Sequence, residues 1–246
     1  MKFLACDIGN SFTKIGLYEG NNLILKNEVR NDEMSIKDFG NIGFDNLAVS
    51  SVVPEITEKI KKIFEENFGR SPLLINRHLK LDFGIAYDTP ETLGIDRICG
   101  TAGVFSLMES GKIPRNDKTI FSDFGTATTI NLIENHSFAG GVILPGIKTM
   151  IFSLNRGTAQ LPEISESDYV SIIGKSTKSS IASGVFNSTG AIIENIYSHV
   201  FGNQDNSAPM IITGGNAGVM NRFLKIPVIP VDDLVLRGIK KIAEMN

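Results

Sequence analysis

A stretch near the start of the chain carries the residue types of a phosphate-binding loop. A short apolar run predicts a strand that ends at Asp7, and Gly9 with Asn10 predicts a turn into a second strand. Such a turn offers backbone N–H groups, to which Ser11 adds a hydroxyl and Lys14 a cation. Together these groups could hold a phosphate within reach of the Asp7 carboxylate.

The same residue types occur again in the middle of the chain. A shift of 116 residues takes Asp7 to Asp123 and Gly9 to Gly125, and it takes the strand 12–17 onto a run that ends at Ile133. A single Asp-x-Gly turn commonly does no more than end a strand. The repetition, with a hydroxyl residue in each turn, instead predicts two copies of one design. Two facing copies would hold a polyphosphate and its metal ion from opposite walls of one cleft.

A third polar cluster surrounds the start of a helix predicted over about residues 96–108. Asp96 at this point could be a simple helix cap. However, Arg97 follows it directly. Further polar residues lie close by in the sequence: Tyr87, Asp88, Thr89 and Thr92. A carboxylate beside a fixed cation can stay ionised and accept a proton from an alcohol, while the cation holds an anionic group.

The elements that must position these residues alternate between strands and helices, which is typical of an α/β fold. Apolar spacing predicts further helices over about residues 55–68 and 178–201. The second of these contains many small residues, which favours close approach to another backbone. A polar segment over residues 109–118 predicts the linker between the halves. We therefore expect two domains, residues 1–115 and 116–246.

A strand near the C-terminus is predicted to open into Gly214-Gly215. The missing side chains of this pair would let a flat ring lie against the backbone.

Composition narrows the classes of function. The chain has 246 residues, of which 42% are hydrophobic and 21% charged, as in an ordinary globular protein. A net charge of −3 without a basic cluster argues against a nucleic-acid surface. No run approaches the roughly 20 apolar residues that cross a bilayer, and the two cysteines form no disulfide framework. We expect a cytoplasmic protein with no membrane partner.

Five motifs, in order along the chain, resemble those of type III pantothenate kinases, within the acetate and sugar kinase/Hsp70/actin superfamily. The motifs are Asp7-Ile8-Gly9-Asn10-Ser11, the run Pro90-Glu91-Thr92-Leu93-Gly94-Ile95-Asp96-Arg97, the run Asp123-Phe124-Gly125-Thr126-Ala127-Thr128-Thr129, Gly140-Gly141 with Pro145-Gly146, and Thr177 before Ser183-Gly184. The resemblance implies an α/β fold of two ribonuclease-H-like domains, an actin-like ATPase fold, around a central nucleotide cleft.

The resemblance also implies an activity and a set of site residues. The activity is transfer of the ATP γ-phosphate to the 4′-hydroxyl of pantothenate, which opens coenzyme A biosynthesis, with Asp96 as the general base. The implied ATP-binding residues are Asp7, Ile8, Gly9, Asn10, Ser11, Phe12, Thr13, Lys14 and Thr126. The implied pantothenate-binding residues are Tyr87, Gly94, Ile95, Asp96, Arg97 and Thr177.

Cofactors and partners follow from the same resemblance. ATP would carry Mg²⁺, and Asp123 would bind a monovalent cation, K⁺ or NH₄⁺. Relatives are homodimers whose pantothenate site is completed across the interface. Two alternatives remain open: another enzyme of the superfamily, such as a sugar or acetate kinase or a polyphosphate phosphatase, and a nucleotide-dependent regulatory binding protein.

Overall fold

The computed structural model describes residues 1–39, 43–202 and 208–246. The strands are β1 (Lys2–Ile8), β2 (Phe12–Glu19), β3 (Asn22–Arg30), β4 (Asn46–Ser51), β5 (Leu73–Leu74), β6 (Gly84–Ile85), β7 (Lys118–Phe124), β8 (Ala127–Glu134), β9 (Ser137–Pro145), β10 (Met210–Thr213) and β11 (Val228–Pro230). The α-helices are α1 (Pro54–Phe68), α2 (Ile95–Glu109), α3 (Ile147–Gly157), α4 (Thr177–Phe201), α5 (Ala217–Met220) and α6 (Leu234–Glu244). In these ranges no helix has both the length and the apolar character needed to cross a membrane.

The chain divides into two compact units. The first comprises Met1–Arg115, His136–Phe138 and Asp233–Asn246, and the second comprises Asn116–Asn135 and Ala139–Asp232. The C-terminal helix α6 therefore belongs with the first unit, although we expected residues 116–246 to form one domain. The reason is its packing: a Cβ on Gly238 would collide with the carbonyl of Cys99, and one on Gly103 with the carbonyl of Leu234. The two helix backbones thus meet, which fixes α6 against α2.

The first unit is built on a five-stranded sheet with the order β3-β2-β1-β4-β5. Strands β1, β2 and β3 are antiparallel, whereas β4 and β5 run parallel to β1. Side chains alternate along β1, and Leu4 and Ile8 pack with Ile60 and Phe64 of α1 in one apolar core. The other face of β1, which includes Asp7, therefore points to the side where α2 and α6 contact the sheet.

The second unit repeats this strand order. Its part of a six-stranded sheet runs β9-β8-β7-β10-β11, again with the first three strands in reverse order of sequence, followed by the fourth and fifth. The sixth strand, β6, pairs with Ser137 and Phe138, which count with the first unit. The core of the second unit combines Phe124 and Ile212 of the sheet with Ile151 of α3 and Phe186 of α4. The repeat seen in the sequence is therefore a repeat of topology.

One predicted surface connection is partly wrong. The polar composition of residues 31–46 predicts an irregular surface segment, and residues 40–42 lie outside the described part. Met34 and Phe39 are instead buried in the core of the first unit. Phe39 packs edge to face on Phe64 of α1, with ring centres 4.7 Å apart. A few apolar residues in a polar segment are too sparse a pattern to indicate this burial from the sequence.

Candidate active site

The first acidic hairpin is a tight turn between β1 and β2. The Gly9 N–H donates to the Phe12 carbonyl at 3.0 Å, which closes the turn. Asp7 pairs directly with Lys14 in the antiparallel register, so their side chains leave the same face of the sheet. Asn10 and Ser11 are exposed at the tip. The hairpin thus presents a carboxylate, a cation and loop N–H groups from adjacent positions.

Asn31, at the end of β3, holds this loop from behind, and sequence reasoning missed it. Its side-chain N–H donates to the Gly9 carbonyl at 2.8 Å, and its backbone N–H donates to the Ser11 carbonyl at 3.1 Å. The Thr13 hydroxyl in turn donates to the Asn31 side-chain oxygen at 2.8 Å. Asn31 is buried, so these bonds form where water does not compete with them. The only signal for this role of Asn31 in the sequence was its position as a polar residue at the end of a strand.

Two residues predicted to bind ATP point into the protein. The side chains of Ile8 and Thr13 are 0% exposed. Ile8 belongs to the apolar core, and Thr13 supports the loop through Asn31. Because alternate residues of a strand point to opposite faces, a continuous run of ligand contacts along this hairpin is not possible through side chains. Phe12, by contrast, is 39% exposed.

Asp96 lies in the first turn of α2, as predicted. The helix begins after Gly94, whose carbonyl accepts from the Arg97 and Ile98 N–H groups at 3.1 and 3.3 Å. A Cβ on Gly94 would collide with the Asp96 carboxylate, so that carboxylate folds back over the glycine. This position is at the positive end of the helix dipole.

Arg97 is buried between two aromatic rings. Its guanidinium carbon lies 5.0 Å from the ring centre of Phe138 and 5.8 Å from that of Tyr87. The two rings meet edge to face at 5.7 Å. The structure therefore brings together Tyr87 and Arg97, which we predicted as neighbours in one pocket, and adds Phe138. Cation–π contacts of this kind fix the direction of a guanidinium.

Asp7 and Asp96 both act on Cys99, a buried residue of α2. Burial raises the pKa of the Cys99 thiol well above its ordinary value, and the charges of Asp7 and Asp96 raise it further. Both carboxylates are therefore within electrostatic reach of one buried sulfur. Ser50 lies opposite Asp7 in the parallel register of β4 and contributes a hydroxyl beside the same thiol. Two predicted functional carboxylates of the first unit thus lie within reach of the same residue of α2.

The second acidic hairpin has a different register. A shift of 116 residues takes Asp7 to Asp123, but in the second strand a shift of 115 takes Lys14 to Thr129, which is the residue opposite Asp123. Our expectation of one constant shift is therefore wrong beyond the turn. The cause is a shorter turn, because the Gly125 N–H donates to the carbonyl of Ala127, two residues on.

Two segments of the second unit pack on this hairpin. Gly214 has φ of +94°, and a Cβ there would collide with the Asp123 carboxylate and the Phe124 N–H. Only Gly215 of the predicted pair has open space around it. The Cβ direction of Gly214 is therefore filled by the second hairpin, and contact of a flat ring with this pair stays a prediction.

The N-terminus of α3 covers the other side of the same turn. The Gly146 N–H and the Thr149 hydroxyl both donate to the Thr126 carbonyl, at 3.0 and 2.7 Å. These bonds fix the backbone of Thr126, whose side chain is exposed as a predicted ATP contact requires. Among the residues that the structure describes, no group of three or more His, Cys, Asp or Glu side chains could hold a metal ion.

Thr177 begins α4 and lines a large apolar cavity of the second unit. Ser176 caps the helix by accepting from the Ser179 N–H at 3.2 Å, and this cap leaves Thr177 exposed. The cavity has a volume of about 980 Å³ and is walled mainly by α3, α4 and the residues before α4. Near it in sequence, Ile172 and Ile173 are 68% and 73% exposed.

Comparison with known proteins identifies a family over most of the chain. Residues 3–199 match the family described as type III pantothenate kinase. A type III pantothenate kinase of Sulfurihydrogenibium sp. is 30% identical, over 96% of this chain and 97% of the relative. One of Persephonella marina is 31% identical, over 96% of each chain.

Solved structures share the fold at lower identity. A Campylobacter jejuni protein named as a Baf family transcriptional activator is 22% identical, with a TM-score of 0.64 over 98% of this chain and 97% of that one. The activator of 2-hydroxyisocaproyl-CoA dehydratase from Clostridium difficile, which was solved with ADPNP bound, is 12% identical with a TM-score of 0.54, over 100% of this chain and 96% of that one. Together with the doubled strand order, these likenesses confirm the actin-like ATPase fold.

Proposed function

The chain belongs to the type III pantothenate kinase family, and from this premise we propose that it transfers the γ-phosphoryl group of ATP to the 4′-hydroxyl of pantothenate. The observation that carries the proposal is the Asp96 carboxylate held over Gly94 at the N-terminus of α2, next to Arg97, which lies between Tyr87 and Phe138. Phosphoryl transfer depends on positioning and charge stabilisation more than on covalent catalysis. One carboxylate near a phosphate loop and a second at a helix start provide both.

Asp96 accepts the proton of the attacking hydroxyl. Its carboxylate is half-buried and is held over Gly94 at the positive end of α2. A carboxylate held in this way is already oriented when the alcohol arrives. Arg97, fixed between Tyr87 and Phe138, supplies positive charge for the pantothenate carboxylate on the same helix turn.

The first hairpin binds the ATP phosphates. Loop N–H groups near Asn10 and Ser11 and the Lys14 ammonium neutralise phosphate charge, and Asn31 keeps the loop in shape. The Mg²⁺ that accompanies ATP prefers oxygen ligands, which the phosphates and Asp7 offer. When bound, it neutralises charge on the transferring group.

The second hairpin binds a monovalent cation, K⁺ or NH₄⁺. Its donor set fits such an ion, because Asp123 is a carboxylate and the residue opposite it is the hydroxyl-bearing Thr129. A bound cation would supply the positive charge that Lys14 supplies in the first hairpin.

The active form is a homodimer in the cytoplasm, in which Thr177 contributes to the pantothenate site. The large cavity beside α4 is mostly apolar, and the exposed Ile172 and Ile173 lie before that helix. Exposed apolar side chains beside an apolar cavity are a feature of protein contacts. A second copy that covers it would bury these side chains.

Replacement of Asp96 tests the proposal. The Asp96→Asn protein should bind ATP normally and lose about 10²–10⁴-fold in pantothenate phosphorylation, because the hydroxyl loses its proton acceptor. The exposed Asp88→Asn in the same segment is the matched control and should keep its turnover. Near-normal turnover of Asp96→Asn would reject the base. Preference for a sugar acceptor over pantothenate would reject the substrate.

A further inference from the structure

A second polar cavity lies in the first unit, at the C-terminal end of α2. Its volume is about 330 Å³, and its walls include Tyr18 of β2, Glu109 of α2, and Arg237, Lys240 and Lys241 of α6. Asp96 is at the other end of α2. At a rise of about 1.5 Å per residue, the helix separates Glu109 from Asp96 by roughly 20 Å. The cavity is therefore distinct from the proposed active site.

Three cations of one helix segment meet in this cavity. Arg237 and Lys240 are each 7% exposed, and the Lys241 side chain is 12% exposed. Removing three positive charges from water carries a large free-energy cost unless anions compensate them. The carboxylates around them therefore decide whether the cavity can accept an anion.

Arg237 uses few of its donors. One terminal N–H group donates to Asp233 at 2.8 Å, and the same carboxylate oxygen accepts from the Tyr18 hydroxyl at 3.0 Å. The Arg237 Nε is buried and has no hydrogen-bond partner among the described residues. A guanidinium carries five N–H donors. Arg237 thus lines the cavity as a cation that is more than nine-tenths buried, with its Nε–H donor unused among the described residues.

The carboxylates that neutralise the two lysines differ in how easily they can leave. Glu244 accepts from Lys240 through one oxygen at 2.6 Å, and its side chain is 50% exposed. Glu109 is equally exposed, but both of its oxygens accept from Lys241, at 2.8 and 2.7 Å. Lys241 contacts both Glu109, at 2.7 Å, and Asp82, at 2.8 Å. Burial lowers the pKa of Lys241, but the hydrogen bonds to Asp82 and Glu109 outweigh burial and raise it, so the ammonium stays charged. Glu244 is the counter-ion that can most readily rotate into water.

We propose that this cavity is a second anion site, which binds a small phosphate group through Arg237, Lys240 and Lys241 while Glu244 turns out to solvent. A dianion with acceptor oxygens in several directions matches donors that come from three side chains better than a planar carboxylate does. The volume has room for inorganic phosphate or a small phosphate monoester. The shared chemistry is therefore a phosphate dianion, whatever its source.

Calorimetric titration of the whole protein tests this site. A saturating non-hydrolysable ATP analogue occupies the nucleotide site, and the probes are inorganic phosphate and glycerol 3-phosphate. Lys240→Gln should weaken phosphate binding about tenfold by removing a charged donor, and Glu244→Gln should tighten it several-fold by removing the competing carboxylate. The matched controls Lys62→Gln and Glu66→Gln, exposed on α1, should bind like the wild type.

The outcomes are distinct. Saturable binding of either probe that responds to Lys240→Gln and Glu244→Gln in opposite directions supports the proposal, and the tighter probe identifies the source of the phosphate. Binding that is absent beside the ATP analogue, or equal in both variants, overturns it. Thermal melts of each variant show whether it is folded. Glu244→Gln alters an exposed side chain, so its expected gain in affinity cannot come from loss of folding.

Discussion

The two acidic hairpins begin alike and then differ at one position. Both place an aspartate in the sixth position of a strand and a glycine in the turn, and both turns are closed by the glycine N–H. Because the second turn is shorter, Lys14 stands opposite Asp7, whereas Thr129 stands opposite Asp123. One residue of turn length thus separates a hairpin with its own cation from one that offers oxygen atoms.

This difference indicates how a duplicated structure can divide two roles. A hairpin with a lysine neutralises phosphate directly. A hairpin with a carboxylate and a hydroxyl matches the ligands of a hard cation. The supports differ as well, since Asn31 holds the first turn and the N-terminal residues of α3 hold the second.

Removal of the Lys14 ammonium group from the first hairpin should have the largest effect on turnover. We expect Lys14→Met to lower ATP-dependent turnover about 10²–10³-fold, the usual loss for one group that stabilises transition-state charge. Thr129→Val changes the matching position of the second hairpin and should cost at most about tenfold, with a weakened response to potassium. Steady-state kinetics at several potassium concentrations measures both. Equal losses that are independent of potassium would contradict the division of roles.

Gly214→Ala should disturb the second hairpin alone. The new Cβ would meet the Asp123 carboxylate, and the backbone has φ of +94°, which side chains rarely adopt. We expect a loss of about 1–3 kcal/mol in the free energy of unfolding and a higher potassium concentration for half-maximal rate. Gly215→Ala is the control, because nothing lies within 4 Å of its Cβ position. Denaturant unfolding of the two variants should separate them, and equal stabilities would reject this role of Gly214.

A smaller effect, on stability at high pH, should come from the Cys99 thiol, which is within electrostatic reach of Asp7 in the first hairpin. Burial and Asp7 raise the pKa of the Cys99 thiol, whereas an unfolded thiol titrates at about pH 8.5. A raised folded pKa gives stability that is complete below the unfolded pKa and is lost as pH rises above it. The wild type should therefore lose about 1.4 kcal/mol per pH unit more than Cys99→Ala above that pH. Denaturant unfolding across a pH series measures the difference, and parallel curves would contradict the shift.

The sequence predicted most of the fold and only part of the site. The repeat was visible because Asp7 and Gly9 match Asp123 and Gly125, and α2 and α4 begin within one residue of their predicted starts. Side-chain partners were not visible. Asn31 acts on a loop about twenty residues earlier, and the apolar face of α6 does not indicate which unit it packs against.

Strand register was the main feature of the site that the sequence did not predict. Thr13 turned inward and Thr129 came opposite Asp123 because of strand pairing and turn length. Neither is fixed by residue types alone. The expectation that both hairpins face one nucleotide cleft stays a prediction.

A potassium titration of pantothenate phosphorylation tests the central claim most directly. The purified wild type should phosphorylate pantothenate at a rate that rises with potassium and saturates, and Asp123→Asn should lose that response while it still binds ATP. Turnover that is the same with and without potassium, or a potassium response that survives in Asp123→Asn, would contradict the assignment of the cation to the second hairpin.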